Sequence, residues 1–208
     1  MVMVSLFLTT VVSLFSLINP LGAIPVFMSL TANHKPIQLK NTIRKTAIYV
    51  FFVCLVSFYI GVFILDFFGI TIHALQLAGA VIISRSGFLL LNSQHKNDIQ
   101  GSIMEESETK EDISFSPLAM PLLAGPGSIS LLINLSIVSK DWQSNALIVT
   151  AIVTVCFLLF SIFYAAPKVL KYMGQSGLRS MSKIMGFIVL ALGIQMGVDS
   201  IKILFELS

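Results

Sequence analysis

The sequence predicts an all-α integral membrane protein: six transmembrane helices in two inverted three-helix repeats, with two of the helices broken. Three observations predict it. The first is composition, because 56% of the 208 residues are hydrophobic and only 11% are charged, whereas a soluble domain carries about 25% charged residues. The second is the length of the uncharged runs. Met1 to His34 contains no Asp, Glu, Lys or Arg, and neither does Ile113 to Ser139, and each run exceeds the ~20 apolar residues that cross a bilayer. The third is a proline motif that occurs twice. Mean hydropathy is +0.92, which excludes intrinsic disorder, and the net charge of +3 forms no basic stripe for nucleic acid.

Runs between charges and turn residues place the spans at about 2–31, 46–65, 70–91, 113–138, 146–166 and 184–205. Each is read as a helix, since a barrel would show alternating segments of about ten residues. The first is read as a retained span: a secretory signal carries positive charge ahead of its apolar region, and the first Lys is Lys35. The intervening loops fix orientation. Loops 31–45, 92–112 and 167–183 hold ten of the thirteen Lys and Arg residues; Lys140 and Lys202 lie on the other side and Arg85 within a span. By the positive-inside rule these three loops are cytoplasmic and both termini face outward. The chain is one membrane domain over 1–208, with a first repeat at 1–92, a polar cytoplasmic linker at 93–112 and a second repeat at 113–208. The acidic residues Glu105, Glu106, Glu108, Glu111 and Asp112 fall in that linker, and acidic groups weigh little on orientation. Cys54 and Cys156, each alone in an apolar run, read as small core residues.

The repeat rests on Pro20-Leu21-Gly22-Ala23-Ile24-Pro25 and Pro121-Leu122-Leu123-Ala124-Gly125-Pro126, which share P-L-x-A-x-P. Leu77-Ala78-Gly79 against Ile184-Met185-Gly186, and Leu91-Asn92-Ser93 against Val198-Asp199-Ser200, extend it. Three spans per unit make the second copy enter the membrane from the opposite side, an arrangement found in secondary transporters with a site between the repeats. The motif also breaks helices. Pro20 frees the carbonyl of Ser16, Pro25 that of Leu21 and Pro126 that of Leu122, and unpartnered carbonyls are tolerated at membrane depth only in protein or along a cavity. A half-helix from Ile129 to Val138 is then expected, capped by Ser128, its N–H groups suited to a carboxylate.

At these residues the chain resembles the MarC/SnatA family of membrane proteins, also called the neutral amino acid transporter family. The resemblance is carried by Asn19-Pro20-Leu21-Gly22-Ala23-Ile24-Pro25-Val26-Phe27, by Pro117 to Ile129, and by the span with Gly186 and Asp199. It implies a six-span bacterial inner-membrane protein, some members of which move small neutral amino acids such as glycine and alanine. The expected substrate-binding residues are Asn19, Pro20, Gly22, Ala23, Pro25, Ala124, Gly125, Pro126, Gly127, Ser128 and Ile129. Freed carbonyls near Ser16 and Leu21, with Asn19, would take the ammonium of a zwitterion, and the N–H groups of Gly127, Ser128 and Ile129 its carboxylate.

Arg85, Asp199 and Gln195 are the candidates for a gate or coupling role. Arg85 lies about 9 Å from the cytoplasmic end of its span at ~1.5 Å per residue, within reach of snorkelling. Asp199 lies about 13 Å from it in height by the same rise, so no direct pair is expected. Gly79, Gly186, Gly193 and Gly197 read as close helix packing. His34, His73 and His95 fall in or near loops without metal-ligand spacing, and no catalytic motif appears, so an enzyme, a metal or a cofactor is not expected. The partners expected are the lipid bilayer and a small solute, with a second copy of the chain as a further candidate. An alternative function is a structural or accessory membrane protein whose broken helices serve packing.

Overall fold

The structure, a computed structural model, describes residues 2–31, 34–91 and 112–205. The linker at 93–112 therefore lies outside the described residues except for Asp112, as does His95. All regular structure among the described residues is helical: α1 (Val2–Ile18), α2 (Pro20–Leu30), α3 (Pro36–Phe68), α4 (Ile72–Leu91), α5 (Ser114–Leu123), α6 (Pro126–Val138) and α7 (Trp142–Leu204). Four helical segments are long and apolar enough to cross a membrane, Met3–Ile24, Pro36–Phe68, Trp142–Val169 and Gly186–Leu204. Two shorter apolar helices, Ile72–Arg85 and Pro126–Val138, accompany them.

Helix ends follow local chemistry. Pro36 opens α3 at a position where a missing N–H costs nothing, and Lys35 before it is extended with ψ 156°. The α3 helix closes on Gly69 at φ 64°, ψ 26°. There the Gly69 N–H donates to the Asp66 carbonyl at 3.1 Å and the Ile70 N–H to the Leu65 carbonyl at 2.9 Å, the two bonds of a Schellman cap. Asp141 caps α7 by accepting the Ser144 N–H at 2.8 Å, and that bond holds its carboxyl below the usual carboxylate range.

Two loop expectations are corrected. Helix α3 begins ten residues ahead of the expected span, so most of 31–45 is helical rather than loop. The stretch 167–183 is helical as well, and α7 changes direction only at Gly174, whose φ 63°, ψ −178° is open to glycine alone. Basic residues are good helix formers and do not by themselves end a helix.

The core joins the two halves of the chain. Leu14, Ile18, Ile24 and Phe27 from α1 and α2 share one buried cluster with Val50, Cys54 and Phe58 of α3. Leu118, Leu123 and Leu132 of α5 and α6, and Ile148 to Phe163 of α7, complete it. Phe27 stacks on Phe163 with ring centroids 4.2 Å apart. Both cysteines are free and buried there, as small core residues. Outward-facing side chains such as Val12, Phe52, Phe63 and Phe157 are exposed and apolar, which suits lipid. Hydroxyls on these helices turn inward on their own backbone: Ser57 donates to the Val53 carbonyl at 2.7 Å and Thr150 to Ala146 at 2.7 Å. In that way a polar group is satisfied without water.

To one side of this core, α4 and the second half of α7 pack antiparallel through small residues. Gln76 meets Ser200, Ala80 faces Gly197, Ser84 faces Gly193, and Gly87 faces the backbone of Gly186 and Leu190. The small-residue expectation for Gly79, Gly186, Gly193 and Gly197 is met at this contact.

Candidate substrate site at the paired helix breaks

The first break is a single residue. Asn19 takes φ 47°, the one non-glycine positive φ among the described residues; Asn tolerates this left-handed geometry better than most side chains. Its N–H still closes α1 on the Phe15 carbonyl at 2.8 Å. Its side chain then folds over the start of α2, where Oδ1 accepts the Gly22 N–H at 3.1 Å. A Cβ on Gly22 would collide with that carboxamide, so Gly22 is needed for Asn19 to cap. The Asn19 carbonyl takes the Ala23 N–H at 3.1 Å, and Pro20 has no N–H. Asn19 thus satisfies most of the first turn of α2. Helix α2 runs unbroken through Pro25, which corrects the expectation of a second break there: the helix tolerates the missing bond, leaving the Leu21 carbonyl without its usual donor.

The second break is longer. Helix α5 is wound with π-type bonds, Leu118 N–H to Ile113 carbonyl at 3.3 Å and Ala124 N–H to Ala119 carbonyl at 2.8 Å. It is interrupted at Ser116 (ψ 125°) and Met120 (ψ 129°), and Gly125 (ψ 178°) precedes α6. Each of these three residues stands immediately before a proline, Pro117, Pro121 or Pro126, and the proline ring pushes its predecessor out of the helical region. Asn19 before Pro20 and Met120 before Pro121 occupy the same place in the repeated motif.

Helix α6 starts at Pro126, three residues earlier than expected. Ser128 does not cap it by accepting; its hydroxyl donates to the Gly125 carbonyl at 2.9 Å. The Ile129 N–H is spent on the same carbonyl at 3.1 Å. With Pro126 lacking an N–H, the donors that face outward from this helix end are those of Gly127 and Ser128. No side chain caps α6.

The two breaks are neighbours. A Cβ at Gly127 would meet Ile83 Cδ1 and, at 3.3 Å, Leu17 Cδ2, two residues ahead of Asn19. A Cβ at Gly79 would meet Pro126 at 3.4 Å and Met196 Cε at 2.9 Å. The start of α6 is therefore wedged where α1, α4 and the end of α7 converge. Ala23 is 6% exposed, Ala124 0% and Ser128 2%; Pro20, Gly22 and Gly127 are buried, while Asn19, Gly125, Pro126 and Ile129 are half-buried. Two surface clefts, of about 330 and 420 Å³, lie elsewhere, between the ends of α3 and α6 around Val62 and Ile137. Neither cleft is lined by a residue of the junction of the breaks.

The three candidate gate residues are not gathered there. Arg85, Gln195 and Asp199 are exposed, and Gln195 Nε2 donates to Asp199 Oδ1 at 2.8 Å. Arg85 lies beside the Ser84–Gly193 contact and Asp199 beside the Gln76–Ser200 contact, so the antiparallel register separates them along the pair as expected.

Sequence reasoning missed the clamp on the entry to α5. Lys45 Nζ pairs with Asp112 Oδ2 at 2.6 Å, Thr46 Oγ1 donates to the Ser114 carbonyl at 3.2 Å, and Tyr49 packs edge-on to Phe115 at 5.5 Å. Burial pushes the Asp112 carboxyl up, but hydrogen bonds from Lys45 and Ser114 outweigh it and hold it below the usual carboxylate range. The available signal was the spacing of Lys45, Thr46 and Tyr49 on one helical face.

The chain matches the description "MarC family integral membrane protein" over residues 4–205. It belongs to the MarC family. Relatives of this MarC-family chain include a UPF0056 membrane protein of Buchnera aphidicola subsp. Schizaphis graminum, 33% identical over 202 residues, covering 97% of this chain and 94% of the relative. UPF0056 membrane protein YvbG of Bacillus subtilis is 32% identical over 187 residues, 89% of each chain. UPF0056 inner membrane protein MarC of Escherichia coli O1:K1 / APEC is 29% identical over 201 residues, 91% of each. No solved structure matches the chain.

Proposed function

We propose that the chain is a multi-pass secondary transporter of small neutral amino acids, built as two inverted three-helix repeats in a bacterial inner membrane. The observation that carries this reading is the meeting of two helix breaks, one at Asn19 before the first proline of its motif copy and one at Gly125 before the last proline of the other, in the interior of an apolar bundle. The α6 end supplies the positive pole through the Gly127 and Ser128 N–H groups. The α1 end supplies the negative pole, because Pro20 leaves the Ser16 carbonyl without its donor. A zwitterion would be matched at both poles with no buried acid or base. Small side chains at Gly22, Ala23, Ala124 and Gly125 limit its size. Inverted symmetry is supported by equivalent contacts: α3 packs on α6 as α7 packs on α2, and the third helices of the two halves run antiparallel against each other.

The burial of Ala23, Ala124 and Ser128 at the junction also favours a second reading, a structural or accessory membrane protein whose breaks serve packing. Counterflow of labelled glycine or alanine into liposomes containing only this protein separates the two. Saturable flux supports transport; its absence across a broad amino-acid panel assigns the breaks to packing.

A further inference from the structure

The contact between α4 and the second half of α7 contains a hydrogen-bond network whose protons can be counted. His73 Nδ1 lies 3.2 Å from Gln76 Oε1, and Ser200 Oγ lies 3.2 Å from the same atom across the helix pair. Ser200 Oγ also lies 2.8 Å from the Met196 carbonyl, the shorter of its two bonds. A carbonyl only accepts, so the single Ser200 proton belongs to Met196, and no hydroxyl proton is left for Gln76. Turning the carboxamide by 180° resolves the shortage, since its oxygen and nitrogen fill nearly the same space. The Gln76 NH2 then donates one proton to Ser200 Oγ and the other to His73 Nδ1. This requires His73 to be neutral, with Nδ1 bare and its proton on Nε2.

The geometry points to His73 as a proton-operated latch on the α4–α7 contact. With Nδ1 bare, three bonds are made with three protons: Gln76 to His73, Gln76 to Ser200 and Ser200 to Met196. A proton taken up from water at Nδ1 makes that atom a donor, and the carboxamide must present Oε1 to it. The Ser200 hydroxyl then serves either Gln76 or Met196, and one of the three bonds is lost. Along the rest of this contact Gly197 approaches Ala80, Gly193 approaches Ser84, and Gly87 approaches the backbone of Gly186 and Leu190, so the Gln76–Ser200 hydrogen bond is a side-chain tie between the two helices, and its loss loosens the pair. Helix α6, which packs on α4, carries no titratable side chain. On α7 the charged groups flanking Ser200 are Asp199, bonded to Gln195, and Lys202; Asp66 stands at the end of α3 before the turn into α4.

Protein labelled with ¹⁵N-histidine in detergent micelles tests this between pH 8 and pH 5, with the His73 signal assigned by its loss in His73→Gln. The expected spectrum at pH 8 is the Nε2–H tautomer. In parallel, the melting midpoint of the wild type should fall between pH 8 and pH 5 by about 2–4 °C more than that of Gln76→Ala or Ser200→Ala, the shift worth one hydrogen bond in a chain of this size. A histidine that merely fills space would leave the pH 8 to pH 5 difference unchanged in both variants, and Ser200→Ala keeps the test intact should Gln76→Ala fail to fold. An Nδ1–H tautomer at pH 8, or equal pH differences in all three proteins, overturns the latch. Neither readout depends on transport.

Discussion

Gly87→Ala should damage the α4–α7 contact far more than Gly197→Ala, although both replace a glycine of the same seam. A Cβ at Gly87 would strike the Leu190 nitrogen and lie 2.7 Å from both the Gly186 oxygen and the Leu190 Cα. All three are backbone atoms that no rotamer change can remove. Restoring ordinary contact of about 3.4 Å to the two atoms at 2.7 Å requires the helices to part by at least roughly 0.7 Å, and the nearer Leu190 nitrogen asks for more, enough to forfeit a quarter to a half of the dispersion well along the seam. Overpacking costs about 1–3 kcal/mol in general and about 2–3 kcal/mol here, where the obstacles are backbone, and alanine returns about 1 kcal/mol through helix propensity. The net loss is about 1–2 kcal/mol, or a fall in Tm of about 2–8 °C. At Gly197 the added methyl would face Ala80 Cβ at 3.3 Å, a few tenths of an ångström too close. There propensity cancels strain, and Tm should stay within about 2 °C of the wild type. The buried thiols of Cys54 and Cys156 make the assay convenient, because a thiol-reactive fluorophore reports unfolding directly. Equal melting of Gly87→Ala and the wild type, or equal damage at both sites, would refute the register.

Single cysteines placed at the N-terminus and in 167–183 should label from opposite sides of the membrane, the latter from the cytoplasm; outward labelling of 167–183 would sink the inverted topology. Lys45→Met should destabilise the protein slightly near neutrality and progressively less in acid. The folded Asp112 carboxyl lies below its unfolded value near 3.9, so the pair contributes above that value and is lost as pH falls through the folded one; a deficit that does not shrink as pH falls below the unfolded value refutes it. Gly127→Val should abolish glycine-induced thermal stabilisation, because the start of α6 would be forced off Ile83 and Leu17, whereas Ser128→Ala should weaken it only a few-fold since the N–H remains; the reverse ranking would remove the α6 end from the site. Arg85→Lys should leave flux unchanged if the side chain snorkels and impair it if a planar guanidinium binds a carboxylate, with insertion checked by membrane fractionation.

The apolar runs, the helical class and the proline motif were legible because they are local: span length and the backbone cost of proline are written in consecutive residues. The Asn19 break was half legible, since Asn-Pro marks a turn, but the capping of Gly22 by Asn19 depends on a left-handed backbone that the side chain itself stabilises. The α6 start was misplaced because Pro126 was read as a breaker, when proline at a first helical position costs nothing. Lys168, Lys171, Arg179 and Lys183 suggested a loop, and charge identifies which side of a membrane a segment lies on, not whether it is helical. The Lys45–Asp112 clamp and the His73–Gln76–Ser200 network join residues 67 and 124 positions apart in the extreme cases, and contacts at that separation carry no sequence periodicity.

A shared core also imposes an order of events during synthesis. Leu14, Ile18, Ile24 and Phe27 find their partners among Leu118, Leu123, Leu132 and Phe163, so the first half cannot bury its interior by itself. At about 5–20 residues per second, the roughly 100 residues from the Asn19 break to the α6 segment that covers it take on the order of 5–20 s to emerge. Throughout that interval the Ser16 carbonyl and the side of α1 that will face α6 have only lipid or the insertion machinery for company. The broken helix is thus most vulnerable before the protein exists as a whole, and substitutions near Asn19 should show themselves first as lost yield in the membrane, ahead of any defect in the finished molecule.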